Sequence, residues 1–183
     1  PIILSLMLTS LAMGTIITMS STHWIMAWVG LELNTLSIIP IITKHHYPRS
    51  TEATAKYFLT QAAASAVLLF ASIANAWHTG TWDISQLTHQ PACVMLTVAL
   101  SMKLGLAPLH FWLPEVLQGA PLSTAMIITT WQKLAPLALM FLTHSMLNPA
   151  ILMTMGLMSA LVGGWGGLNQ TQTRKIMAFS SIA

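Results

Sequence analysis

Five ionisable side chains fall in or beside apolar stretches of this sequence: Glu32, Lys56, Lys103, His110 and Lys133. An ionised side chain at the centre of a membrane span costs on the order of 2.5–3.5 kcal/mol, so such groups turn toward a bundle interior or a water-filled path. Desolvation disfavours the charged form of a lysine, and an approaching carboxylate favours it again. A lysine moved between those two conditions loads and releases a proton and needs no metal or organic cofactor to do so. An imidazole titrates near neutral pH and passes protons between neighbours. The five positions therefore read as a proton relay. Plainer readings stand beside it. Lys56 lies in the first turns of its helix, where it can snorkel to the headgroups with Glu52 four residues before it. Glu32 and one lysine can form a buried structural pair. With three lysines to one glutamate, not every lysine has a carboxylate of its own.

Helix breaks accompany the charges. Lys103-Leu104-Gly105-Leu106-Ala107-Pro108 and Lys133-Leu134-Ala135-Pro136 repeat one pattern, a lysine just ahead of a proline. Proline has no N–H, so Pro108, Pro136 and Pro40 deprive the carbonyls of Leu104, Gln132 and Leu36 of their helix partners. Backbone freed at membrane depth is tolerated only where protein or water satisfies it. Proline kinks can also serve packing alone, so the pairing of kink with lysine carries the weight.

These residues need elements that hold them at depth. The chain has 183 residues, 55% hydrophobic and 6% charged, with a mean hydropathy of +0.70. Ordinary soluble domains carry about 25% charged residues. Such sparse charge excludes a soluble enzyme, a disordered tail and a nucleic-acid binder, and the net charge of +3 rests on too few groups to indicate an anionic partner. An all-α polytopic membrane protein remains. Hydropathy predicts helices over about 2–19, 24–43, 53–77, 122–143 and 149–168. A discontinuous helix around Pro108 joins 92–106 to a short half at 110–118, and a seventh helix begins after a polar loop at 169–175. Starting at Pro1 and ending inside that helix, the chain is expected to be a piece of a longer protein.

Loop charge sets the expected sidedness. The loops at 44–52 and 169–175 fall on one face and hold Lys44, Arg49, Arg174 and Lys175, while the opposite loop at 78–91 holds Asp83 and no Lys or Arg. The positive-inside rule puts the first face on the cytoplasmic or matrix side. The single Cys93 excludes an intrachain disulfide and reads as a packed small hydrophobe. His45-His46 lacks a second cluster to complete a metal site. The glycine run at 163–167 has neither a preceding strand nor a following Lys-Ser/Thr, so it reads as a close helix contact rather than a nucleotide loop.

Stretches 21–34, 51–61, 103–115, 131–136, 163–171 and 174–183 closely resemble the antiporter-like membrane subunits of respiratory complex I, NADH–ubiquinone oxidoreductase, in a vertebrate, fish-like form. The resemblance covers essentially the whole chain. It implies inverted five-helix repeats, with residues 1–145 forming the first and 146–183 opening the second. It implies a proton relay at Glu32, Lys56, Lys103, His110 and Lys133, with Glu32 modulating the first lysine and Lys133 leading onward along a central polar axis. It also implies no cofactor in this chain, while NADH, FMN, iron–sulfur clusters and ubiquinone belong to other subunits. The partners implied are other membrane-arm subunits and the lipid bilayer, with no nucleic acid. The location implied is the mitochondrial inner membrane, with loops 44–52 and 169–175 facing the matrix. Two rival readings are a cation/proton antiporter of the same superfamily and an inert membrane scaffold.

Overall fold

A computed structural model describes all 183 residues. Nine α-helices follow in order: α1 (Ile2–Ser20), α2 (Trp24–Ile42), α3 (Pro48–Thr79), α4 (Gln90–Leu104), α5 (Trp112–Gly119), α6 (Leu122–Thr130), α7 (Leu134–Thr143), α8 (Pro149–Leu168) and α9 (Thr173–Ile182). A 3₁₀ turn at Trp131–Lys133 links α6 to α7. Five segments are long and apolar enough to cross a membrane: α1, α2, α3, the composite Leu122–Thr143 and α8.

The long helix α3 starts at Pro48, five residues before the expected 53. Pro48 occupies the first helical turn, where a missing N–H costs nothing. Arg49 and Glu52 are therefore helical rather than part of a loop. Likewise α9 begins at Thr173, so Arg174 and Lys175 sit in its first turn.

The expected discontinuous helix is present as α4 and α5, but its break is wider and begins earlier than Pro108 alone dictates. Gly105 adopts φ 78°, and the N–H groups of Gly105 and Leu106 both bond to the Ser101 carbonyl, at 2.9 and 3.0 Å. This Schellman-type closure ends α4 before the proline is reached. His110 lies in the intervening segment rather than in the second half-helix. Both halves pack along α3.

The helices run alternately between two faces. Turns at 43–47, 120–121 and 169–172 share one face with the charged Lys44, Arg49, Arg174 and Lys175; the turns at 21–23, 80–89 and 144–148 share the other. The second face is knitted by Trp24 N–H to Trp82 O (3.1 Å) and Ile84 N–H to Thr22 O (3.0 Å). Asp83 Oδ1 accepts the Ser85 N–H at 3.0 Å, which holds its carboxyl below the usual carboxylate range.

The apolar core divides into two clusters. One lies toward the charged face and includes Ile38, Ile42, Trp112, Leu113 and Ile128. The other lies toward the opposite face and includes Trp24, Leu68, Leu96, Leu100 and Leu139. Polar side chains occupy the layer between them.

Candidate functional site

That layer is built from the middles of α2, α3 and the composite α6–α7 and from the broken end of α4. A cavity of about 10 Å³, room for one water molecule, is lined by Asn34 and Thr35 of α2, Tyr57 and Gln61 of α3, Lys103 of α4, and Gln132 and Lys133 of the 3₁₀ turn. Leu31, Trp112, Ile128 and Pro136 close it with apolar surface. Lys103 is 6% exposed, and Tyr57, Gln61 and Asn34 are also buried.

Local sequence explains the convergence. Gly105 stops α4 two residues after Lys103, so that lysine sits at the helix end rather than in a continuous wall. The 3₁₀ turn delivers Gln132 and Lys133 at mid-span, and Pro136 then falls in the first turn of α7, where its missing N–H breaks little. Gln132 Nε2 donates to the Asn34 carbonyl at 3.4 Å, tying the turn to α2. Lys133 Nζ donates to the Ser181 carbonyl at 2.7 Å. Tyr57 meets Trp112 edge-on, with ring centroids 5.8 Å apart.

The structure brings Lys103 and Lys133 to one cavity. Glu32 flanks it on α2, half-buried, with Oε1 buried and unpaired. His110 is 7% exposed in the break and stacked on Phe111 at 4.4 Å, with Nδ1 unpaired. It does not line the lysine cavity.

Lys56 stands apart. It is held 3.0 Å from Glu52 and 3.0 Å from Glu115, on the outer side of α3 and α5, with 41% of its side chain exposed. Ser50 Oγ donates to the Ile42 carbonyl, which sets Ser50 level with the end of α2. Lys56 is six residues further along α3, about 9 Å deeper. The expected Glu52 pairing is present, and Glu115 is a second carboxylate that the sequence had not connected to it.

Sequence reasoning also missed the uncharged polar lining: Tyr57, Gln61, Asn34 and Gln132. It missed Ser159 of α8, whose Oγ accepts the Ala107 N–H in the break at 2.9 Å. An uncharged polar side chain costs less in a span than a charge does and is common at helix interfaces, so its presence alone does not mark a site. No three His, Cys, Asp or Glu side chains come together as a metal-binding group.

Fold and site together define a polytopic helical membrane protein with ionisable groups held at mid-depth around a broken helix. A family profile described as NADH:quinone oxidoreductase/Mrp antiporter, TM, matches residues 21–183. The chain belongs to that family. It is 61% identical over 183 residues to NADH-ubiquinone oxidoreductase chain 2 of Xenopus laevis, covering 100% of this chain and 53% of the relative. To the chain 2 of Struthio camelus it is 62% identical over 176 residues, covering 96% of this chain and 51% of the relative. The chain thus spans about half the length of the curated relatives it matches. Among solved structures, a chain of respiratory complex I from Thermus thermophilus superposes with TM-score 0.93 at 29% identity, covering 100% of this chain and 43% of that one. A chain of the Mrp complex from Dietzia sp. shares the fold, with TM-score 0.87 at 20% identity, covering 96% and 36%.

Proposed function

We propose that this chain is part of a core membrane-arm subunit of a proton-translocating NADH:ubiquinone oxidoreductase in the mitochondrial inner membrane. It carries protons, while NADH oxidation and quinone reduction take place on other subunits, which hold the flavin, the iron–sulfur clusters and the quinone. One observation carries the reading: Lys103 and Lys133 line a single small polar cavity between two apolar core clusters. Lys103 is buried between these clusters while Lys133 is half-buried, so a proton on Lys103 moves when the site is hydrated or its charge balance changes. Glu32 is the carboxylate placed to alter that balance, and His110 is the imidazole on the way out through the break. Lys56, exposed and paired, joins the path at its outer edge.

Energy scales agree with this role. Moving one proton against 100 mV costs about 2.3 kcal/mol. A two-unit change in a lysine pKa is worth about 2.7 kcal/mol. A change in hydration or in one neighbouring charge is therefore large enough to drive the step. In this reading residues 1–145 are the first of two inverted repeats, residues 146–183 open the second, and the face bearing Lys44, Arg49, Arg174 and Lys175 looks into the matrix.

The test is Lys103→Ala and Lys133→Ala in the full-length subunit within the intact complex, reconstituted in vesicles. Proton pumping and coupled NADH oxidation should fall in both. Normal pumping in both would overturn the relay, and sodium transport by the wild type would favour the antiporter reading instead.

A further inference from the structure

A second cavity, of about 220 Å³, lies at the charged face where the ends of five helices meet. His45 and Tyr47 line it from the α2–α3 turn, Ser50 from the first turn of α3, Pro121 from the start of α6, and Arg174 from the first turn of α9. No Asp or Glu lines it. Arg174 uses one N–H to bond the Gln118 carbonyl, at 3.3 Å. A guanidinium has five N–H donors, so most remain for a ligand. Tyr47 and Pro121 are the N-caps of α3 and α6, and neither helix start has a side-chain cap. The first-turn N–H groups there add partial positive charge of the kind that attracts phosphate oxygens.

The cleft's depth indicates the source of such an anion. It opens level with the end of α2 and the start of α3, at the ends of two segments long and apolar enough to cross a membrane. Below it, Leu122 and Met126 of α6 are 52% and 56% exposed, an apolar surface for a chain descending from the headgroup. Basic pockets between transmembrane helices at this depth bind anionic lipid headgroups. We propose that this cleft holds the phosphate of an anionic phospholipid, with Arg174 as its main ligand, His45 and Tyr47 as side contacts, and an acyl chain lying along α6. This site is separate from the lysine cavity and does not depend on proton transfer.

The test uses the intact assembly containing the full-length chain, in phosphatidylcholine vesicles doped with a photoreactive phosphatidylglycerol. Cross-links should map to residues 42–50 and 120–126. Arg174→Gln should reduce them about tenfold, the scale of a lost charge-assisted hydrogen bond, while Arg174→Lys keeps most of the labelling. His45→Gln should give a smaller reduction, and it carries the test if Arg174→Gln does not assemble. Equal labelling by a photoreactive phosphatidylcholine, or labelling unchanged in both variants, overturns the site. Loss of labelling to inorganic phosphate, but not to chloride of equal ionic strength, overturns the lipid and reassigns the cleft to free phosphate.

Discussion

Lys103 and Lys133 are thirty residues apart in sequence, on different membrane spans, and open onto the same small cavity. Two lysines that open onto one cavity are placed to serve one path. If both serve one path, removing the second after the first costs nothing more. Lys103→Met and Lys133→Met should each reduce pumping by about tenfold or more, and the double variant should match the worse single one. Losses that multiply would mean separate paths. Both variants should assemble, since neither lysine is in an ion pair and an apolar side chain of similar volume strands no partner charge.

Lys56 makes a different prediction because it is exposed. It bridges Glu52 on its own helix to Glu115 on α5. Glu115→Gln should lower the thermal midpoint only slightly, on the small scale of an exposed ion pair. Lys56→Met should remove the same small effect, and the double variant should add nothing further. A large loss would show that this pair fixes α5 by packing rather than by charge.

On the opposite face, Asp83 anchors the 80–89 loop through the Ser85 N–H. Its carboxyl titrates below the usual range. A depressed folded value means that its contribution to loop stability is fully present above the unfolded pKa, about 3.9, and is lost as pH falls through the lower folded value. Protection of the Ser85 amide from hydrogen exchange should therefore hold down to about pH 3.9 and drop below it. Asp83→Asn keeps the acceptor and should remove the acid-induced drop. Acid-induced loss persisting in that variant would assign it elsewhere.

The glycines separate tight contacts from open surface. A Cβ at Gly30 would strike Thr18 Oγ1 and come 2.8 Å from the Gly14 carbonyl, so α1 and α2 could not stay in contact. Gly156 on α8 has nothing within 4 Å. Gly30→Ala should destabilise by about 1–3 kcal/mol, the usual cost of overpacking. Gly156→Ala should stabilise by roughly 0.5–1 kcal/mol through helix propensity. Thermal unfolding of the two variants, measured side by side, checks both signs.

Hydropathy made α1, α2 and α8 legible almost to the residue, because a span must be long and apolar whatever its neighbours do. The start of α3 was misplaced because Lys44 to Glu52 is polar throughout, and polarity does not distinguish a loop from a helical turn that projects past the bilayer. Lys103 and Lys133 were legible because a charge at depth is costly enough to require a reason. Their companions Tyr57, Gln61 and Gln132 were not, since a phenol or an amide costs less in a span than a charge and hydrogen-bonds at many helix interfaces. Lys56 met the same test of type and position, but its second carboxylate, Glu115, was not legible, because only the tertiary arrangement folds α5 back beside α3.

Ser159 is the plainest instance of information held by the fold alone. Its Oγ sits on α8, 52 residues from Ala107, and accepts the Ala107 N–H inside the break between α4 and α5 at 2.9 Å. Ser159 is 2% exposed, so water cannot readily replace it. Ser159→Ala leaves a buried N–H unpaired, at a cost of about 1–3 kcal/mol. The same change loosens the segment that carries His110 while leaving every ionisable residue in place. Ser159→Ala should therefore lower the thermal midpoint and increase exchange at the Ala107 amide, and Ser159→Thr should restore both by keeping the hydroxyl. Proton pumping in Ser159→Ala should fall if His110 must be held in register with the lysines. Pumping at the wild-type rate alongside faster Ala107 exchange would show that the break can move without harm, and would remove His110 from the relay.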